Sequence, residues 1–111
     1  MKPPVALAEH ITAMLSSSSI TDDAIEFIAI SPRLTNLNLM GTSVSSKGIH
    51  FLQNAPLLKS LNLVATRISD EDIDCLSSFP NLKKIYLWKS NFTSRGVTQL
   101  KKRNPHLEIN Y

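Results

Sequence analysis

Apolar residues return along this chain every 24 positions. Leu34, Leu58, Leu82 and Leu107 each follow a proline (Pro32, Pro56, Pro80, Pro105) by two residues, at intervals of 24, 24 and 25. Leu37, Leu61, Ile85 and Ile109 keep 24 throughout, and further columns run in register: Leu39, Leu63, Leu87 and Tyr111; Ile20, Val44, Ile68 and Phe92; Ile25, Ile49, Ile73 and Val97; Ile28, Leu52, Leu76 and Leu100. Within each turn of the pattern the Leu-x-Leu alternation has period two, which places both leucines on one side of a short strand and the residue between them on the other. The Ile/Val-x-x-Ile/Leu spacing that follows is a narrow helical stripe facing those strands. Ser45, Ser69 and Thr93, with Thr21 before them, stand where a hydroxyl caps a helix N-terminus. The prolines stop each helix. The prediction is strand, turn and short helix, repeated.

A Thr/Ser column, Thr42, Thr66 and Ser90, lies just after the strands. Buried peptide groups need partners, so these hydroxyls are expected to bond backbone of the coil above or below. At the N-terminus, a shift of 24 aligns Ala13 and Leu15 with Leu37 and Leu39. This predicts an opening strand over residues 12 to 16 and a degenerate helix over 5 to 10, in preference to one cap helix.

Written out, the pattern is Pro-x-Leu-x-x-Leu-x-Leu-x-x-Thr-x-Ile, and LTNLNLMGTSV, LKSLNLVATRI and LKKIYLWKSNF carry its strand half. It resembles the leucine-rich repeat, with Thr or Ser at the usual Asn/Cys position. The resemblance implies an α/β leucine-rich repeat solenoid. Its features would be a right-handed superhelix of about four 24-residue units, a concave parallel sheet and convex short helices. Residues 1–18 would form a degenerate repeat or cap and 19–111 the repeat domain, in units of about 20–43, 44–67, 68–91 and 92–111. The strand IYLWKSNFTSRGVTQL and the ending PHLEINY are similar to the C-terminal repeat segment of bacterial membrane-anchored proteins that carry a c-type cytochrome domain. That similarity implies an accessory module, extracytoplasmic if it is such a tail and cytoplasmic otherwise, with no haem motif carried over. F-box-type adaptors are a second group, but their units are near 26 residues with Cys in the ladder, and no F-box helices are present here.

Composition narrows the chemistry. In 111 residues, 42% are hydrophobic and 19% charged, enough apolar material for one core. No stretch approaches the ~18 apolar residues of a membrane helix, so no membrane contact by this segment is expected. Cys75 is the single cysteine, which excludes an internal disulfide framework and cysteine-rich metal sites. The formal charge is +3, short of a dedicated nucleic-acid binder, but unevenly laid out. Seven basic residues and no acidic one lie between Lys83 and Arg103, while Asp22, Asp23, Glu26, Asp70, Glu71, Asp72 and Asp74 come earlier. Acids in first turns and bases after the last helix both suit the helix dipole.

Catalytic readings find little support. His10, His50 and His106 fall at different phases of the pattern and do not converge on Cys75 or on a carboxylate pair. The cluster Asp70, Glu71, Asp72 and Asp74 lacks the glycine and spacing of a calcium loop and reads as a solvated helix start. The glycines mark turns or tight helix positions. No enzyme activity, cofactor or metal is expected.

The remaining candidates are the residues between the buried columns, which should line the open face of the sheet: Asn36, Asn38 and Met40; Ser60, Asn62 and Val64; Lys84, Tyr86 and Trp88; Glu108 and Asn110. One stripe, Asn38, Asn62, Tyr86 and Asn110, offers amide donors and acceptors. Another, Met40, Val64 and Trp88, is an apolar ribbon whose tryptophan either projects outward or folds over the sheet. Aromatic and Met side chains on an open sheet suit protein binding. The expected function is therefore non-enzymatic protein–protein interaction, with self-association through the edge strand 107–111 as an added route. The alternative is a structural module that shields or positions a neighbouring domain.

Overall fold

The structure is a computed structural model, and it describes residues 11–14, 22–28 and 33–111. Five strands form one sheet: β1 (Ile11–Met14), β2 (Leu34–Asn38), β3 (Ser60–Asn62), β4 (Lys84–Tyr86) and β5 (Glu108–Asn110). They lie side by side in chain order and all pair in parallel. A parallel neighbour demands a crossover between strands. Here the crossovers carry α1 (Asp22–Ile28), α2 (Ser46–Leu52), a 3-10 turn (Asp70–Asp72) leading into α3 (Ile73–Leu76), and α4 (Ser94–Arg103).

The period-two reading of the strands holds. Leu37, Leu61 and Ile85 face one another directly across the sheet, and each is at most 2% exposed. Leu39, Leu63, Val44, Ile68, Ile49, Leu52, Leu76 and Leu100 close the core between sheet and helices. The strand at 11–14 pairs Ala13 with Leu37, with a bulge between Ile11 and Thr12. The helix expected at residues 5 to 10, Thr21, and the end of the opening strand at 15 to 16 lie outside the described residues.

The extended superhelix of four equivalent 24-residue units is corrected. A Cα radius of gyration of 13.4 Å is what a compact domain of this length has, about 13 Å. The chain is a small compact α/β domain built on a single parallel sheet, not an elongated repeat solenoid. Equivalence also fails on the helical side. The return segments have 7, 7 and 10 residues in α1, α2 and α4, and only a 3-residue turn plus 4 residues in α3. Regular leucine spacing fixes the sheet register. It does not fix the return path, which is set by local capping and packing.

The Thr/Ser column is corrected as well. Thr42, Thr66 and Ser90 donate their hydroxyls to Leu39, Leu63 and Leu87 in their own turns, at 2.8, 2.7 and 2.6 Å, and not to a neighbouring coil. The cause is the residue before each hydroxyl. Gly41, Ala65 and Lys89 have φ of +73°, +58° and +56°, and this left-handed step curls the chain back on the carbonyl three residues earlier. For Ala65 and Lys89 that conformation costs about 1 kcal/mol each.

The helix starts are tied down by carboxylates. Asp22 accepts from the Ser45 backbone N–H at 2.7 Å and from its hydroxyl. Asp70 does the same for Thr93, with the N–H at 2.9 Å. Thr93 Oγ1 in turn accepts from Gly96 N at 3.1 Å. Gly48 and Gly96 make room for these carboxylates, since a Cβ at either would fall closer than 3.0 Å to Asp22 or Asp70. Between them, the Ser69 N–H is satisfied at 3.0 Å by Asp72 from its own segment. Asp72 stands at the position equivalent to the two glycines. The expected hydroxyl cap is therefore present at Thr93, and at Ser69 within a capping box shared with Asp72, but replaced at Ser45, whose hydroxyl donates.

Candidate functional site

Sheet register assembles the open face. Asn36, Ser60, Lys84 and Glu108 stand opposite one another strand by strand, as do Asn38, Asn62, Tyr86 and Asn110. Thr12 and Met14 of β1 hold the corresponding places beside Asn36 and Asn38. The ladder runs on past the strands. Leu39 N bonds Asn62 O, Gly41 N bonds Val64 O, Leu63 N bonds Tyr86 O and Ala65 N bonds Trp88 O, all at 2.8 to 2.9 Å. Met40, Val64 and Trp88 are thus held side by side on ordered backbone before the left-handed turns carry the chain away.

Exposure separates the face into two parts. Trp88 is 58% and Met40 41% exposed, with Val64 half-buried between them. Trp88 is thus the most exposed large apolar side chain of this face. The other part is engaged internally. Lys84 Nζ lies 3.7 Å from Glu108 Oε2, which also accepts from Asn110 Nδ2 at 3.3 Å. Asn36 Nδ2 donates to Thr35 at 3.1 Å. The amides are half committed: Asn38 Oδ1 accepts from Met40 N at 3.0 Å, and Asn62 Oδ1 from Val64 N at 2.9 Å. These bonds engage Oδ1 of each amide, and among the described residues neither Nδ2 has a partner, where the sequence suggests both donors and acceptors.

Two features on the helical side differ from the sequence reading. His50 Nδ1 and Cys75 Sγ, expected to stay apart, approach to 3.7 Å between α2 and α3. Burial, then Asp72 and Asp74, raise the Cys75 pKa, which keeps the sulfur a neutral thiol where a nucleophile needs thiolate. The acidic cluster is dispersed. Asp70 turns to Thr93, Asp72 to Ser69, and Asp74 to Arg103 Nη1. Hydrogen bonds from the Thr93 hydroxyl and N–H hold the Asp70 carboxyl below its ordinary pKa. Among the described residues no three His, Cys, Asp or Glu side chains converge on a common point.

The basic stretch splits too. Lys84 lies on the sheet face, while Lys101, Lys102 and Arg103 end α4. Among the described residues, no helix is long and apolar enough to cross a membrane.

Comparison with known proteins bears on the fold. No family model matches the chain, that of the leucine-rich repeat included, and no curated protein matches it. A solved structure of "Leiomodin-1 Actin-Binding Site 2 (ABS2)" is similar at a TM-score of 0.66 and 14% identity, over 93% of this chain and 71% of that one. At that identity the likeness shows a shared α/β fold.

Proposed function

We propose that this domain is a protein-binding module that works through the open face of its sheet and not by catalysis. The observation that carries the reading is Trp88 at 58% exposure on the same ordered ladder as Met40 at 41%. Large apolar side chains are presented there on hydrogen-bonded backbone, so a partner that covers them meets an ordered main chain. The outward Nδ2 groups of Asn38 and Asn62 supply directional donors beside that ribbon, and Tyr86 lies next in their row. A face this narrow falls below the ~800 Å² per partner of a standard interface, so the partner also engages neighbouring turns. The domain acts as an accessory part of a larger assembly.

A photo-crosslinking residue placed at Val64 tests the reading against one placed at Gln99 on exposed α4. Crosslinks to a partner are expected from position 64. They should fall about 30-fold in a Trp88→Ala background, the size of an interface hot spot near 2 kcal/mol, with helix content unchanged by circular dichroism. Crosslinks from Gln99 alone, or undiminished by Trp88→Ala, would overturn it. The similar leiomodin-1 segment is an actin-binding site by name, so purified actin is the first defined protein to offer.

A further inference from the structure

The ribbon of Met40, Val64 and Trp88 is bordered by hydrogen-bond donors and few acceptors. In the row beside it, the Oδ1 atoms of Asn38 and Asn62 are taken by Met40 N and Val64 N at 3.0 and 2.9 Å, while neither Nδ2 has a partner among the described residues. Exposed Trp88 adds an indole N–H, and exposed Lys89, next in the chain, an ammonium group. Both are donors only. Tyr86 contributes a hydroxyl that acts either way, and Asn110 lies on β5, beyond the ribbon. The one carboxylate among the described residues of this face is Glu108, in the row of Asn36 and Ser60, two rows from the ribbon. Lys84 Nζ lies 3.7 Å from it, and Asn110 Nδ2 donates to it at 3.3 Å.

A chain that covers the ribbon must therefore bring carbonyl oxygens without N–H groups. An ordinary extended peptide laid on the face would bury its own N–H groups against other donors, and each would lose its water without gaining a partner. A helix uses its carbonyls in its own ladder. Proline alone has a carbonyl and no N–H, and a polyproline II chain makes no internal hydrogen bonds, so every carbonyl is free. Dimensions agree with this choice. Met40, Val64 and Trp88 follow β2, β3 and β4, and neighbouring strands lie about 4.8 Å apart, which sets Met40 and Trp88 roughly 10 Å from each other. A polyproline II helix turns once in three residues, about 9.3 Å. Laid across the strands, it returns the same edge to Met40 and to Trp88.

We propose that the partner of this ribbon is a proline-rich segment in the polyproline II conformation, crossing β2, β3 and β4; the proposal rests on the reading of the ribbon as a protein-binding surface. Its rings cover Met40 and stack on Trp88, and its carbonyls accept from Nδ2 of Asn38 and Asn62. By occupying Oδ1, the backbone N–H groups of Met40 and Val64 decide which end of each amide is left for a ligand.

Trp88 is the only tryptophan, so its emission reports from the site itself. The whole chain is titrated with acetylated, amidated decaproline and with the same peptide in all-D form, which carries identical carbonyls on a helix of opposite hand. A saturable change in emission is expected with the L peptide, about 10-fold tighter than with the D peptide. Asn62→Asp keeps the oxygen that accepts from Val64 N and removes the donor, and should weaken L-decaproline about 10-fold, the size of one lost hydrogen bond. Equal binding of the two peptides, or no change in Asn62→Asp, would overturn the proposal. If Asn62→Asp does not fold, the comparison of the two peptides still decides. Should decaproline fail to bind while position 64 still crosslinks a partner in a Trp88-dependent way, the protein-binding reading stands and the proline-rich occupant falls. Emission that shifts with protein concentration alone would assign the ribbon to a second copy and overturn the proposal equally.

Discussion

The helix start at Thr93 and the one at Ser69 face the same problem and solve it from opposite directions. At Thr93 a carboxylate arrives from the preceding segment, Asp70, and Gly96 stands aside for it. At Ser69 the preceding segment offers Ser46, and Asp72 supplies the carboxylate from within. Ser45, with Asp22 and Gly48, repeats the first arrangement. Both arrangements satisfy an N–H that a helix start leaves without a partner. Only the first binds one segment to the next. Acid here and glycine 26 residues on are a single device, and the middle junction shows what replaces it when the acid is missing.

The largest expected effect comes from filling the space that glycine leaves. Gly96→Ala should destabilise the domain by about 2 kcal/mol, by overpacking and loss of the carboxylate bonds, read as a shift in urea midpoint. In an Asp70→Ala background the same substitution should become neutral or favourable by up to ~1 kcal/mol, because alanine is the better helix former. Additive costs in that cycle would break the comparison. A junction exchange comes next. Ser46→Asp alone sets a second carboxylate against Asp72 and should cost about 1 kcal/mol, whereas Ser46→Asp with Asp72→Gly converts the middle junction to the outer kind and should restore most of it. A double variant no better than Ser46→Asp would show that the two arrangements are not interchangeable.

Acid titration is a gentler probe. The Asp70 carboxyl is held below its ordinary pKa by Thr93, so its contribution is present above about pH 4 and lost as pH falls through the ordinary aspartate range toward the folded value. Asp70→Asn should lower the urea midpoint at pH 7, and its gap to the parent should narrow as pH falls below about 4. The smallest effect belongs to the middle junction. Burial, Asp72 and Asp74 raise the Cys75 pKa, so iodoacetamide should label Cys75 at pH 8 several-fold more slowly than a cysteine in a short peptide, with a modest acceleration in Asp72→Asn. Labelling at the peptide's rate would contradict that environment.

How much of this is legible in the sequence depends on whether the signal lies in one column. Leu37, Leu61 and Ile85 announce the buried side of the sheet because alternation has a direct geometric meaning, and the strand neighbours at 24 residues follow from the same spacing. The open face is legible for the same reason. Asp22 with Gly48 and Asp70 with Gly96 are not, because they are pairs between columns and one junction departs from them. His50 and Cys75 meet from adjacent helices 25 residues apart, one step out of phase, and a search for in-phase repeats passes them by. The hydroxyls of Thr42, Thr66 and Ser90 choose carbonyls that the pattern does not reveal, because the turn depends on φ at Gly41, Ala65 and Lys89, and two of those residues do not advertise a left-handed conformation. Equal leucine spacing suggests equal units, yet the helical returns are unequal because capping and packing, not period, set their length.

The alternation of junctions also governs how such a domain can lengthen or shorten. Removing one segment would bring a glycine start behind a serine, with an N–H that no carboxylate reaches, or a self-capped start behind an aspartate, with two negative groups crowded together. Each junction therefore tolerates exchange only as a matched pair, aspartate with glycine or serine with aspartate.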